Sequence, residues 1–178
     1  MFTPSEVGHS LLNLRCGLRV PRRPSPGWRV QNCVTIKQKT ILVVDDSESD
    51  AELIKRAFQK TGFNSRICWV CDGQQALAYL HGEGKFAERA QFPLPNLVLL
   101  DHSLPGTSGW ETLRWMKGQP QFKELPVVVF SGSEHPEHEQ KARALGANAY
   151  HVKPSDFAQF CAVIRRIGEF WLQQSPCS

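Results

Sequence analysis

Residues 96–106 read NLVLLDHSLPG. Four apolar residues, Leu97 to Leu100, run into the carboxylate of Asp101, and His102 and turn-forming residues follow at once. A short, continuous apolar run of this kind is the mark of a strand covered on both faces. Four other runs share the pattern: Thr40–Val44, Arg66–Val70, Val127–Phe130 and Ala149–Val152. Amphipathic segments alternate with them. Ala51–Lys60 sets Leu53, Ile54, Ala57 and Phe58 on one face; Gln74–Leu80 follows a capping Asp72, and Gly109–Lys117 carries Trp110, Leu113 and Met116. Glu134–Leu145 stops at Gly146, and Asp156–Trp171 presents Phe157, Phe160, Ile164, Ile167 and Trp171 at helical spacing. Five strand-then-helix repeats predict an α/β fold with a five-stranded parallel sheet covered on both sides. Right-handed crossovers make it a doubly wound three-layer sandwich. One connection, His81–Pro95, is long for a helix-to-strand loop.

The 178 residues suffice for one well-packed domain. The net charge of +4 conceals a division. Residues 1–39 hold seven Lys/Arg against Glu6 alone, which leaves 14 of the 21 basic and 16 of the 17 acidic side chains to residues 40–178. The basic pI therefore belongs to the leader and gives no support to a nucleic-acid-binding fold. The leader, with its PRRPSPGW stretch, reads as a disordered basic segment or the product of a start codon set too early; residues 173–178 read as a short tail. No run approaches the roughly 18 apolar residues of a membrane span. Six scattered cysteines, including the isolated pair Cys68 and Cys71, read as reduced thiols of a cytoplasmic protein.

The strand ends carry the chemistry. The first run ends in Asp45-Asp46, the third in Asp101, the fourth in Ser131, and the fifth leads to Lys153-Pro154. In an open parallel sheet these ends share one edge, and ligands bind where the strand order reverses. Clustered carboxylates repel unless a cation sits among them, and an oxygen-only donor set suits Mg²⁺, with Mn²⁺ the other candidate. Lys153 and Ser131 add an ammonium and a hydroxyl able to hold phosphoryl oxygens. On this reading Asp101 is either a further metal ligand or a nucleophile that accepts a phosphoryl group.

Over residues 40–172 the motifs ILVVDD, LVLLDHSLPG with Gly109 beyond it, VVVFSGS and AYHVKP resemble the receiver domain of two-component response regulators. The resemblance implies a flavodoxin-like receiver fold with strand order 2-1-3-4-5. It implies Asp101 as phosphoacceptor, Asp46 and Asp101 as direct Mg²⁺ ligands with the Ser103 carbonyl, and Asp45 acting mainly through water. Ser131 and Lys153 match the phosphate-sensing pair, and Tyr150 the switch aromatic. The long connection and the terminal EFWL resemble the stand-alone regulators paired with phytochrome-type histidine kinases, which implies a kinase partner and a homodimer face on the fourth helix, fifth strand and fifth helix. The protein would then be a switch rather than a turnover enzyme.

Two rival readings stand beside this one: an aspartate-based phosphohydrolase, disfavoured because Ser103 stands where such enzymes place a second acid, and a nucleic-acid adaptor working through the leader. His102 reads as a packing residue facing away from Asp101. His135 and His138 lack a third metal ligand nearby.

Overall fold

A computed structural model describes residues 38–173. The leader (but for its last two residues), most of the tail, and Cys16, Cys33 and Cys177 lie outside these. The five strands are β1 (Lys39–Val44), β2 (Ser65–Val70), β3 (Leu97–Leu100), β4 (Val127–Ser131) and β5 (Ala149–Val152). All pair in parallel, in the order β2-β1-β3-β4-β5. The helices are α1 (Glu48–Lys60), α2 (Gly73–His81), α3 (Gly109–Gly118), α4 (Pro136–Ala144) and α5 (Phe157–Leu172).

Strand alternation sorts the core into two layers. Leu42, Val44, Val98, Leu100, Val127 and Val129 pack against α2, α3 and α4. Ile41, Val43, Leu97, Leu99, Val128 and Phe130 pack against α1 and α5. This is the expected three-layer sandwich. Burial on both faces holds for β1, β3 and β4 but not for the two edge strands: β2 and β5 are mostly half-buried, and Trp69 is 41% exposed. An edge strand has a neighbour on one side only, so its outer side chains meet solvent.

Helix ends follow side-chain chemistry more closely than apolar periodicity suggests. α1 starts three residues before the expected Ala51, because the Ser47 hydroxyl accepts from the Asp50 N–H at 3.2 Å. α4 begins two residues later than expected, with Pro136 in its first turn, where proline's missing N–H costs nothing. α3 opens on a capping box between Ser108 and Glu111. Phe157, expected in the core, is 38% exposed at the start of α5, with the Lys60 ammonium 5.2 Å from its ring centroid.

The long connection before β3 is built rather than loose. A 3₁₀ turn at Gly84–Phe86 brings Phe86 against Tyr79 and Phe92, with ring centroids 5.2 Å apart in each pair. The Tyr79 hydroxyl donates to the Pro93 carbonyl at 2.8 Å. Arg89 folds back to donate to the Tyr79, Leu80 and Phe92 carbonyls, capping the C-terminal end of α2. Gly82 supplies the left-handed residue there (φ 74°), and a β-carbon on it would lie 2.6 Å from the guanidinium. Arg89→Ala is expected to cost about 2 kcal/mol by removing charge-assisted bonds from helix-end carbonyls. Urea unfolding should show it as a lowered midpoint with unchanged slope.

Candidate functional site

Sheet register brings the acids together. Val44 of β1 pairs with Leu100 of β3, so Asp45 and Asp101 follow side by side where the strand order reverses. Their N–H groups stay in the ladder, Asp45 donating to the Val70 carbonyl and Asp101 to the Val44 carbonyl. On β4 and β5, Ser131 pairs with Val152, and the Lys153 N–H donates to the Ser131 carbonyl at 2.7 Å. Asp45, Asp101 and Lys153 each continue the alternation that faces α1 and α5, so their side chains converge.

The convergence centres on one ammonium. Lys153 Nζ lies 2.6 Å from Asp45 Oδ2, 2.8 Å from Asp101 Oδ2 and 2.8 Å from Asp50 Oδ2. The other Asp101 oxygen, Oδ1, accepts from the Ser131 hydroxyl at 3.0 Å and the Ser103 N–H at 2.9 Å. Asp45 Oδ1 accepts from the Ser47 N–H at 3.0 Å. Asp50, in the first turn of α1, had no place in the sequence reading. Its spacing after Ser47 has the look of an ordinary helix-start acid, and only the packing of α1 carries it to Lys153. Asp46 stands exposed beside the cluster.

The two buried carboxyls are pushed in opposite directions. Burial raises Asp45 above its ordinary range, and the pull of Lys153 only partly offsets it; the Asp101 charge adds to the rise. Burial also opposes ionisation of Asp101, but Lys153, the Ser103 N–H and the Ser131 hydroxyl outweigh it, and Asp101 is held below the usual carboxylate range. Burial would lower Lys153, yet Asp101, Asp45 and Asp50 together raise it. The site thus keeps an ionised, hydrogen-bonded Asp101 beside a carboxyl that burial makes harder to ionise.

A cleft of about 520 Å³ opens above these groups, lined by Asp50, Asp101, Ser103, Ser131, Ser133 and Lys153 among others. Gly132 also lines it, and a β-carbon there would meet nothing within 4 Å, so the absent side chain leaves the mouth open. Gly109 has the opposite reason to lack a side chain: a β-carbon would collide with the Asp101 carbonyl oxygen and the His102 α-carbon. A larger groove of about 810 Å³ between α1 and β2, lined by Leu53, Ile67 and Trp69 with flanking charges, contains no comparable cluster.

On the other side of the sheet, His102 is buried against Trp110, and burial holds its imidazole below the ordinary range. The Tyr150 hydroxyl donates to the Ser133 carbonyl at 2.7 Å. Burial, more than offsetting that bond, raises its phenol. Cys68, Cys71 and Cys161 are free thiols.

Among the described residues no three acidic, His or Cys side chains stand at a metal-holding spacing, since Lys153 gathers Asp45, Asp50 and Asp101 around itself. The donor chemistry nevertheless fits a hard divalent cation: oxygen atoms alone, with the carboxylates of Asp45 and Asp101 side by side where the strand order reverses.

Comparison with known proteins agrees with this architecture. Residues 41–165 match the model of the response regulator receiver domain. The chain is 37% identical over 132 residues to the probable methanogenesis regulatory protein FilR2 of Methanothrix harundinacea, covering 74% of this chain and 83% of that one. It is 31% identical over 135 residues to the response regulator Rcp1 of Synechocystis, covering 76% and 90%. Among solved structures, the phosphorylated cyanobacterial phytochrome response regulator RcpA superposes with a TM-score of 0.71 at 34% identity, over 78% of this chain and 96% of that one. The Mn²⁺-bound form of Rcp1 gives 0.68 at 31%, over 77% and 96%. The chain belongs to the response regulator receiver domain family. It is a two-component response regulator, similar to the response regulator Rcp1 and to the phytochrome response regulator RcpA.

Proposed function

We propose that Asp101 accepts a phosphoryl group from the phosphohistidine of a sensor histidine kinase. The observation that carries the reading is the convergence of Lys153, Ser131 and the Ser103 N–H on this one carboxylate. An Asp101 oxygen attacks phosphorus in line; the O–P bond forms as the P–N bond breaks, and the kinase imidazole leaves with the bonding pair. Asp101 enters this step ionised, as a nucleophile must, and leaves it as an acyl phosphate. Lys153 and Ser131 then hold the transferred oxygens in place of the Asp101 oxygens they hold beforehand.

Asp45, Asp46, Asp101 and the Ser103 carbonyl are the groups that would hold Mg²⁺, or Mn²⁺ as in the Rcp1 structure. The bound cation would neutralise the carboxylates and orient the incoming phosphoryl group. Asp50 positions Lys153 from the side of α1. Incubation with acetyl phosphate and Mg²⁺ is expected to add about 80 Da, the approximate mass of one phosphoryl group, and excess EDTA to prevent it; an adduct indifferent to EDTA would contradict the metal assignment.

The added charge of about −1.5 to −2 is read by Ser131 and Lys153 and passed to Tyr150. Residues 40–172 form the receiver domain in this account. A phytochrome-type kinase is the partner we favour, on the similarity to RcpA and Rcp1. The α4–β5–α5 face suits a second copy of the chain: β5 is an edge strand, and Phe170 of α5 is 55% exposed beside a half-buried Trp171. Phe170→Asp is expected to shift the protein toward monomer in sedimentation experiments, through an unfavourable buried charge. A cytoplasmic location accords with a kinase-coupled switch, and no helix of the described residues is long and apolar enough to cross a membrane. A phosphohydrolase reading gains nothing, because the Ser103 hydroxyl is engaged with His102 at 2.8 Å and supplies no acid.

A further inference from the structure

His102 follows Asp101 directly, yet its side chain lies on the opposite side of the sheet, 8% exposed. Three elements meet on its ring. Nδ1 is 2.8 Å from the Ser103 hydroxyl of its own turn. The plane stacks on Trp110 of α3, with centroids 4.7 Å apart and an angle of 11°. The edge meets His138 of α4 at 4.6 Å. Its Nε2 is buried with no hydrogen-bond partner among the described residues.

The far side of this cluster belongs to α4. His138 Nδ1 is 2.7 Å from the Ser133 hydroxyl, and the Ser133 carbonyl accepts from Tyr150. Lys141 lies 5.0 Å from the Trp110 ring centroid. Besides these contacts α4 packs on β5, and Leu145 at its end packs on the core. Ala142 is its one buried residue, so the hydrophobic layer that anchors α1 or α5 is nearly missing. The contacts of His138 and Lys141 with the His102–Trp110 stack add to the packing of α4 on β5 in seating this helix.

We propose that His102 is a positioning residue that couples the state of Asp101 to the seating of α4, through its stack on Trp110 and its edge contact with His138. A movement of the Asp101–Ser103 turn drags the imidazole with it and so shifts the contact that α4 makes through His138. The proposal rests on the reading of Asp101 as phosphoacceptor.

The test is hydrogen exchange on the full chain, with and without acetyl phosphate and Mg²⁺, for wild type, His102→Leu and His138→Ala, with labelling followed by intact mass. In wild type, labelling is expected to change exchange over 133–144. Both variants should label to the same extent as wild type while that change shrinks about fivefold or more, the lower end of typical coupling. His138→Ala, at a half-buried helical position, serves if His102→Leu fails to fold. Labelled variants whose α4 responds as in wild type would overturn the inference, as would a labelled wild type with no response in α4 or variants that lose labelling. A wild type that takes no label would instead remove the reading of Asp101, and the coupling with it.

Discussion

Lys153→Met is expected to destabilise the domain by about 3–5 kcal/mol, the usual result of removing one partner from a buried ionic cluster. Three carboxylates share that ammonium, and two of them, Asp45 and Asp101, keep under a tenth of their side-chain surface exposed. Methionine fills the space of the lysine stem but leaves the charges facing each other without a counter-ion. Thermal unfolding followed by circular dichroism should fall by roughly 10 °C. Millimolar Mg²⁺ is expected to restore part of the loss in the variant.

The pH dependence has a definite sign. Asp101 is held below its ordinary value of 3.8, so its contribution is present above that pH and disappears as pH falls through the lower folded value. Lys153 is raised above 10.5, so its contribution is complete below that pH and disappears as pH rises through the higher folded value. Asp45, raised above 3.8, acts in opposition: ionising it costs the fold stability as pH rises through that window. Lys153→Met should therefore abolish the alkaline loss and gain stability on mild acidification, as carboxyls no longer balanced by the ammonium take up protons.

Asp101→Asn is expected to abolish phosphoryl labelling and leave the fold intact. The amide oxygen still accepts from the Ser103 N–H and the Ser131 hydroxyl; the amide NH2 replaces the oxygen that accepts from Lys153, which keeps Asp45 and Asp50 as its partners. The amide is no nucleophile at this pH. Replacing a charge that helps to raise Asp45 also relieves repulsion within the cluster, so stability is expected to change by less than about 1 kcal/mol in either direction. Intact mass on acetyl phosphate treatment and urea unfolding check the two halves separately. Lost labelling with an unchanged unfolding midpoint distinguishes a missing nucleophile from a damaged fold.

The readable parts of this chain are those where local pattern and tertiary fate coincide. Val98 and Val129 lie on central strands, so their apolar runs predict burial correctly. Trp69 belongs to an equally apolar run, but β2 forms the sheet edge, which strand order rather than composition decides. Asp45, Asp101, Ser131 and Lys153 were legible because strand C-terminal ends must share one edge. Asp50 was not: at the start of α1 its local role as a helix-start acid hides its long-range contact with Lys153. Strand alternation gave the direction of His102, but nothing local names Trp110 and His138 as the groups waiting there.

Trapping the acyl phosphate tests the central claim most directly. Hydroxylamine converts an aspartyl phosphate to a stable hydroxamate, which peptide mass spectrometry can assign to a residue. After treatment with acetyl phosphate and Mg²⁺, the hydroxamate is expected on Asp101 alone. A hydroxamate on Asp45, Asp46 or Asp50, or none on a chain that has gained the phosphoryl mass, would contradict the account.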